Sequence, residues 1–187
     1  MRRAEAGEEI TYLVTYLEMT ARPSYPRPHA PLGPPLALIH AEAPPVWYFL
    51  DLYEAVGRDY EWTDRHHEDP ERLAAFVGDP RVMLFTLMRR GWPAGFFMLD
   101  TRKAGLCDLA YFGLVPEAIG QGLGLYLVET AVHTGWDTPG VERMTVETNS
   151  LDHPRALPLY QRAGFTPRAQ EEKTRVLTRA RDIPFEG

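Results

Sequence analysis

In the middle of this chain, an apolar strand, a turn with three close glycines and a helix follow one another. The run Leu106–Val115 has the composition of a β-strand, and Gly120-Gln121-Gly122-Leu123-Gly124 comes after it. The residues that follow predict a helix with one buried face: Leu123, Leu127, Val128, Ala131 and Val132. Because glycines and a helix start bring backbone N–H groups together, the turn can hold a phosphate or pyrophosphate.

The same glycines would also suit three other kinds of turn. A turn that needs only positive φ angles would use them without binding anything. A P-loop would require Lys and then Ser or Thr after the last glycine, where this chain has Leu125 and Tyr126. A dinucleotide-binding fingerprint would place its third glycine one residue later than Gly124. The last two motifs are therefore not supported.

Strand-like and helix-like segments alternate irregularly along the rest of the chain. Helices are predicted over Val46–Gly57, after Asp69 and over about Pro154–Ala163; strands are predicted over Val82–Met88, Ala94–Leu99, Met144–Thr148 and near Thr174–Leu177. The first helix would bury Trp47, Leu50, Tyr53 and Val56. Since strict βαβ alternation is missing, the pattern favours an α+β fold over a doubly wound sheet.

The first 45 residues differ in composition from the rest. Ile10–Met19 is rich in Thr, Tyr, Val and Leu and predicts a strand, whereas eight prolines lie between Pro23 and Pro45. Proline fixes φ and lacks an N–H donor, so this stretch predicts a connector or an arm. We therefore divide the sequence into an N-terminal strand with a proline-rich arm, residues 1–45, and a main domain, residues 46–187.

Composition excludes several classes of function. Twenty basic against 26 acidic residues give a net charge of −6, which disfavours nucleic acid as a partner. No apolar run approaches the roughly 18 residues of a membrane span, so no membrane association is expected. The single cysteine, Cys107, excludes an intramolecular disulfide and fits the cytoplasm. His66-His67-Glu68-Asp69 are adjacent in sequence and rarely converge on one ion, so no metal is predicted.

Two signatures together point to a family. Leu114-Val115-Pro116-Glu117 with the glycine turn, followed by Leu157-Pro158-Leu159-Tyr160-Gln161-Arg162-Ala163-Gly164-Phe165, resembles the GNAT superfamily of acyl-CoA-dependent N-acyltransferases over roughly residues 80–170. The resemblance implies a mixed, mostly antiparallel central sheet flanked by helices. It also implies acetyl-CoA as co-substrate.

The resemblance assigns residues to the cofactor. The pyrophosphate would lie on the backbone amides of Gly120, Gln121, Gly122, Leu123, Gly124 and Leu125, and the pantetheine beside Leu114 and Val115. Relatives usually have Arg or Gln where this chain has Ile119. Because an aliphatic side chain cannot donate to phosphate, binding would depend on the amides and on Gln121.

Tyr160 matches the tyrosine with which family members protonate the departing thiolate. A phenol with a pKa of about 10 is a weaker acid than a thiol with a pKa of about 8.5, so Tyr160 would act mainly as a hydrogen-bond donor. An aromatic residue that only packs on the sheet is the alternative.

The amine must lose a proton before it attacks, since an alkyl amine has a pKa of about 10.4. There are two candidate bases. The resemblance places Asp108 near the position of a basic glutamate in some relatives, and Glu147 lies on the next strand. Tyr53, Trp62 and Tyr111 are candidate contacts of the substrate. The acidic stretch from Asp51 to Glu71 either receives a cationic amine or forms a solvated helix face.

Two functions remain. The first is direct transfer of an acetyl group from acetyl-CoA to a primary amine of a small molecule or a protein. The second is a non-catalytic acyl-CoA-binding or protein-interaction module. The arm or a free sheet edge offers a surface for a homodimer.

Overall fold

Seven of nine strands form one sheet in the computed structural model, which describes residues 2–183. The nine strands are β1 (Arg2–Ala4), β2 (Glu9–Met19), β3 (Leu36–Ala41), β4 (Val82–Arg89), β5 (Trp92–Asp100), β6 (Leu106–Leu114), β7 (Arg143–Asn149), β8 (Thr166–Val176) and β9 (Arg181–Ile183). The α-helices are α1 (Val46–Gly57), α2 (Pro70–Val77), α3 (Leu123–Asp137) and α4 (Ala156–Arg162).

The large sheet has the strand order β3-β4-β5-β6-β7-β2-β8, while β1 and β9 form a separate antiparallel pair. Every neighbouring pair in the large sheet is antiparallel except β6 and β7, which are parallel. The prediction of an α+β fold with a mixed, mostly antiparallel sheet flanked by helices is confirmed.

Local periodicity predicted the helix after the glycine turn correctly. All five residues assigned to its inner face are buried: Leu123, Leu127, Val128, Ala131 and Val132. On β7, Met144, Val146 and Thr148 are likewise buried while Glu147 is exposed, as the alternation predicts. Helix α3 and strand β7 therefore pack their apolar residues into one core cluster.

The predicted inner face of α1 is wrong at Trp47, and Leu50, also assigned to it, is only half-buried. Trp47 is 62% exposed, whereas Phe49, Leu52, Tyr53 and Val56 are buried. An α-helix turns by about 100° per residue, so Trp47 and Val56 lie on opposite sides of it even though steps of three residues connect them. The buried residues follow the i, i+3, i+4, i+7 pattern instead.

Strands from the N-terminal part of the sequence belong to the large sheet. The predicted strand Ile10–Met19 is observed as β2, and it lies between β7 and β8. Strand β3, which sequence analysis missed, follows Pro35 and pairs only with β4 at the edge of the sheet. The predicted strand near Thr174 is the end of the much longer β8. The division at residue 45 is thus a division of the sequence, and strands from both parts share one sheet.

The parallel pair β6 and β7 determines where a cavity opens. Only Leu106–Asp108 and Arg143–Thr145 pair, so the remainders of the two strands, Leu109–Leu114 and Val146–Asn149, are not hydrogen-bonded to each other. A bulge at Ala110 also shifts the register of β6: Met98 pairs with Tyr111, whereas Leu99 pairs with Leu109.

None of the helices within residues 2–183 has the length and apolar character needed to cross a membrane.

Candidate active site

A cavity of about 730 Å³ opens where β6 and β7 separate. Strands β6 and β7, the glycine turn, α4 and the loop after α1 contribute its walls, and β2 and β8 extend it. Among the residues that line it are Tyr12, Tyr53, Trp62, Tyr111, Leu114, Gly120, Gly122, Leu123, Gly124, Leu125, Glu147, Asp152, Tyr160, Lys173 and Arg175.

The glycine turn presents unpaired donors to this cavity. Gly120 and Gly122 have φ angles of 79° and 77°, which favour glycine, and no atom lies within 4 Å of the position that a Cβ would take at either residue. Within residues 2–183, the backbone amides of Gly120, Gln121 and Gly122 have no backbone acceptor. Gly122 caps α3 without a side-chain hydrogen bond, so the amides at the helix start are also unpaired. These donors fit a pyrophosphate.

Six of the eight residues predicted for the cofactor line the cavity: Leu114, Gly120, Gly122, Leu123, Gly124 and Leu125. Val115 and Gln121 do not. The Val115 amide donates instead to the carbonyl of Ala94, and the Gln121 side chain donates to the carbonyl of Glu117. The turn therefore offers its backbone to the cavity, and the Gln121 side chain turns back toward the preceding residues.

Tyr160 reaches the cavity from α4. Its side chain is only 5% exposed and packs edge to face on Phe112 and Phe165, with ring centres 5.7 and 6.2 Å away. Burial, and to a smaller extent the nearby carboxylate of Asp152, raises the pKa of the Tyr160 phenol. The phenol is therefore neutral at ordinary pH and is able to donate a hydrogen bond.

The two candidate bases have different surroundings. Glu147 is exposed, lines the cavity, and forms no ion pair or side-chain hydrogen bond within residues 2–183. Asp108 is not among the lining residues, and its carboxylate accepts a 2.6 Å hydrogen bond from the Thr145 hydroxyl. Burial raises the pKa of Asp108, although that hydrogen bond opposes the shift. The structure thus brings Glu147, but not Asp108, into the space shared with Tyr160.

Asp152 is a further carboxylate in the cavity, which sequence analysis missed. One of its oxygens accepts hydrogen bonds of 2.9 Å from the Thr148 hydroxyl and the Asn149 amide, and the other accepts a longer one of 3.4 Å from the Trp62 indole. Burial is the largest cause of its raised pKa. The available signal was an aspartate three residues after a strand end, a position that caps a turn in many proteins.

The three predicted substrate contacts form one aromatic cluster on the cavity wall. The ring centres of Tyr53, Trp62 and Tyr111 are 5.4 to 5.6 Å apart. The Tyr111 hydroxyl accepts a 2.6 Å hydrogen bond from the Arg65 guanidinium, which orients that ring. The structure therefore brings these three side chains together.

The acidic stretch contributes less charge to the cavity than its composition suggests. Of its eight acids, only Glu61 and Asp64 line the cavity. Glu61 is 2% exposed and accepts hydrogen bonds from the backbone and hydroxyl of Thr178, so it holds the C-terminal segment in place. Within residues 2–183, no three His, Cys, Asp or Glu side chains converge as metal ligands would.

Basic side chains of the cavity were also missed. Lys173 and Arg175 reach it from β8, and Arg155 and Arg162 from the region of α4. Lys173 and Arg175 are two residues apart on a strand and therefore project to the same face. The sequence contains that spacing, but it does not show which face points toward the cavity.

Comparisons with known proteins identify the family and the fold. The family model described as acetyltransferase (GNAT) family matches residues 49–165. A GCN5-related N-acetyltransferase from Kribbella flavida is similar in structure with a TM-score of 0.59 and 19% identity, over 87% of this chain and 56% of that one. One from Sphaerobacter thermophilus has a TM-score of 0.57 and 18% identity, over 92% and 53%.

An aminoglycoside acetyltransferase from an uncultured soil metagenomic sample has a TM-score of 0.55 and 17% identity, over 69% of this chain and 87% of that one. The present chain thus spans little more than half the length of the first two proteins, and these identities show a common fold. The family model, in contrast, covers more than half of the chain and includes both the glycine turn and Tyr160. The chain belongs to the acetyltransferase (GNAT) family.

Proposed function

We propose that the protein is an acetyl-CoA-dependent N-acetyltransferase that moves an acetyl group directly to a primary amine of a small molecule or a protein. One observation carries the proposal: the glycine turn, Tyr160 and Glu147 all open into one cavity. The transfer needs three kinds of group: unpaired donors that bind the pyrophosphate, a neutral phenol and a free carboxylate.

The cofactor end would be the glycine turn. Its unpaired amides are the donors proposed for the pyrophosphate of acetyl-CoA, and Leu114 lies on the β6 wall along which the pantetheine would run. Arg155 and Arg162 add positive charge to the same cavity, which favours an anionic cofactor. These two side chains would compensate for the aliphatic Ile119, which also lines the cavity and cannot donate.

In the proposed reaction, Glu147 accepts a proton from the substrate ammonium, directly or through one water. The neutral nitrogen then attacks the thioester carbonyl carbon, and the C–N bond forms as the C–S bond breaks. The second proton of the nitrogen goes to solvent. The sulfur accepts a hydrogen bond from Tyr160 and leaves as a thiolate, which takes a proton from solvent. Glu147 returns its proton to solvent, so the products are an acetamide, free CoA and one net proton.

Tyr160 would stabilise charge on the departing sulfur and would not lose its own proton completely. The raised pKa of the phenol makes complete transfer to a thiolate less favourable than it is in water. A hydrogen bond from a buried donor is nevertheless strong, because little water competes for the sulfur.

The acceptor would enter beside the aromatic cluster of Tyr53, Trp62 and Tyr111. Their ring faces can contact a cationic or apolar amine.

For the whole protein, we also propose a homodimer through the open edge of β3 or β8 and a cytoplasmic location. The location rests on the single cysteine, Cys107, which is a buried free thiol.

Two measurements on the purified protein test the proposed function. Calorimetry with CoA is expected to show binding, and a thiol-release assay with acetyl-CoA and a panel of primary amines is expected to show turnover. CoA binding without turnover on any amine would instead identify the non-catalytic acyl-CoA-binding module. A protein that binds no CoA would contradict both functions.

A further inference from the structure

Two cations of β8, Lys173 and Arg175, line the cavity, and the proposed reaction does not use them. Lys173 and Arg175 line the cavity together with Tyr12 and Val14 of β2 and with Glu147 of β7. These three strands are neighbours in the sheet, in the order β7-β2-β8. The cavity therefore continues from the free carboxylate across β2 to a pair of positive charges.

The pairing register shows that the charges share one face of the sheet. Glu147 is the partner of Tyr16, and Lys173 is the partner of Tyr12. Since Tyr12 and Tyr16 are separated by an even number of residues, the side chains of Glu147 and Lys173 project to the same side. The Lys173 ammonium lies 5.6 Å from the centre of the Tyr16 ring, so it leans along β2 toward Glu147.

Lys173 already pairs with one carboxylate, and that ion pair is exposed to solvent. Its ammonium is 3.5 Å from the carboxylate of Glu171, with side chains that are 39% and 56% exposed. An exposed ion pair of this kind contributes little, because water screens it. A carboxylate that enters the cavity can therefore bind the ammonium without breaking a strong contact.

Arg175 is held rigidly but still has free donors. One terminal nitrogen donates a 3.0 Å hydrogen bond to the Thr63 hydroxyl and lies 3.9 Å from the exposed Asp64 carboxylate. The Nε atom lies 4.0 Å from the Glu61 carboxylate. Glu61 is itself engaged by Thr178. The second terminal nitrogen of Arg175 donates no hydrogen bond within residues 2–183. A guanidinium fixed in this way has already lost side-chain conformational entropy, so ordering it costs less when a ligand binds.

We propose that the acceptor amine also carries a carboxylate, which Lys173 and Arg175 bind while the amine faces Glu147. The inference rests on the proposed function and names the substrate class of the same site. The charges favour it: Glu147 has no ion-pair partner within residues 2–183 and can receive an ammonium. Lys173 has only an exposed pair, and Arg175 keeps one terminal nitrogen that donates no hydrogen bond, so both can still contact an anion. An acceptor with only positive charge would meet them unfavourably.

Matched pairs of acceptors test the proposal. Amino acids with the amine at the α or the terminal carbon are compared with their carboxamides. Each carboxamide has the same shape, with the amine at the same carbon, but lacks the negative charge of the carboxylate. We expect kcat/KM to be at least about tenfold higher for the acid of the preferred pair, the worth of a charge-assisted hydrogen bond. For α-amino acids the carboxamide has the less basic amine and is neutral to a greater extent, so intrinsic reactivity favours the carboxamide.

A variant of one cation is expected to remove the preference. Lys173→Gln should lower the ratio of kcat/KM for acid over carboxamide by about tenfold, mainly through KM for the acid. Arg175→Gln should act in the same direction, and a thermal unfolding curve checks that it folds, since Arg175 also holds Thr63. Arg168→Gln is the control, because Arg168 is an exposed residue of the same strand that does not line the cavity.

These measurements distinguish failure of the proposed carboxylate site from failure of the proposed N-acetyltransferase function. If amines are acetylated but no acid is preferred over its carboxamide, the substrate class is wrong and the N-acetyltransferase function stands. If no amine is acetylated, the same pairs are titrated into the complex with CoA. Tighter binding of an acid that Lys173→Gln weakens then supports the carboxylate site without the reaction, and equal or absent binding overturns it.

Discussion

Asp108 and Thr145 mark the last point at which β6 and β7 are paired, and the Thr145 hydroxyl donates a 2.6 Å hydrogen bond to the Asp108 carboxylate there. Beyond this junction the strands separate. Glu147, two residues further along β7, projects to the same side as Thr145 and opens into the cavity. The junction thus separates an engaged carboxylate from a free one.

We expect Glu147→Gln to lower kcat/KM about 100-fold near neutral pH, because the ammonium of the acceptor then has no carboxylate to accept its proton. The loss should shrink as the pH approaches the pKa of the amine, since more acceptor is then already neutral. A pH profile of thiol release for wild type and variant measures both effects.

Asp108→Asn is the matched control for that variant. An asparagine can still accept from Thr145, and Asp108 does not line the cavity, so activity should fall by less than about tenfold. If Asp108→Asn removed activity and Glu147→Gln did not, the base would have to be assigned to the junction and the proposed reaction revised.

Tyr160→Phe should lower kcat by about 10- to 100-fold and change KM for acetyl-CoA little, because the phenol would act on sulfur charge that exists only as the C–S bond breaks. Steady-state kinetics measure the two constants separately. Tyr126→Phe removes a phenol from α3 outside the cavity lining, and its kinetics should match wild type. Equal activity of all three proteins would assign Tyr160 to packing alone.

Gly122→Ala should weaken CoA binding. A residue with a Cβ is strained at a φ of 77° by about 1 to 2 kcal/mol, and relief of the strain would turn the amides away from the pyrophosphate. Gly140→Ala has the same kind of strain at a φ of 82°, also in open space, but lies before β7 and away from the cavity. Calorimetry with CoA is expected to show loss of affinity in the first variant only, and equal affinity in both would disconnect the turn from the cofactor.

The elements that sequence predicted well are those with a local signal. The inner face of α3 repeats every three to four residues, and β7 alternates at every second residue, so each carries its burial pattern within one segment. The glycine turn was predictable for the same reason, since positive φ and a helix start are local requirements.

The elements that sequence missed depend on partners far away in the chain. Strand β3 is a short edge strand after Pro35, and proline-rich sequence hid it. Strand β8 is exposed over most of its length and carries charges of both signs, so it lacks the apolar pattern of a buried strand. Lys173 and Arg175 therefore entered the site only through the pairing of β8 with β2, a register that no single segment encodes.

Acid should destabilise the protein partly through Asp79, in the turn before β4. Its carboxylate accepts hydrogen bonds from the Arg81 backbone and side chain at 2.7 to 3.0 Å, and the Arg81 side chain is the main reason that its pKa falls to about 2. Above the ordinary pKa of aspartate both folded and unfolded chains are ionised, so the stabilisation is complete. As the pH falls toward 2, the unfolded chain binds the proton first and the stabilisation is lost. In urea unfolding, the difference in free energy between wild type and Asp79→Asn should therefore shrink between pH 7 and pH 2. The difference in free energy between wild type and Arg81→Gln should shrink over the same pH range. If that second difference is independent of pH, Arg81 does not lower the pKa of Asp79.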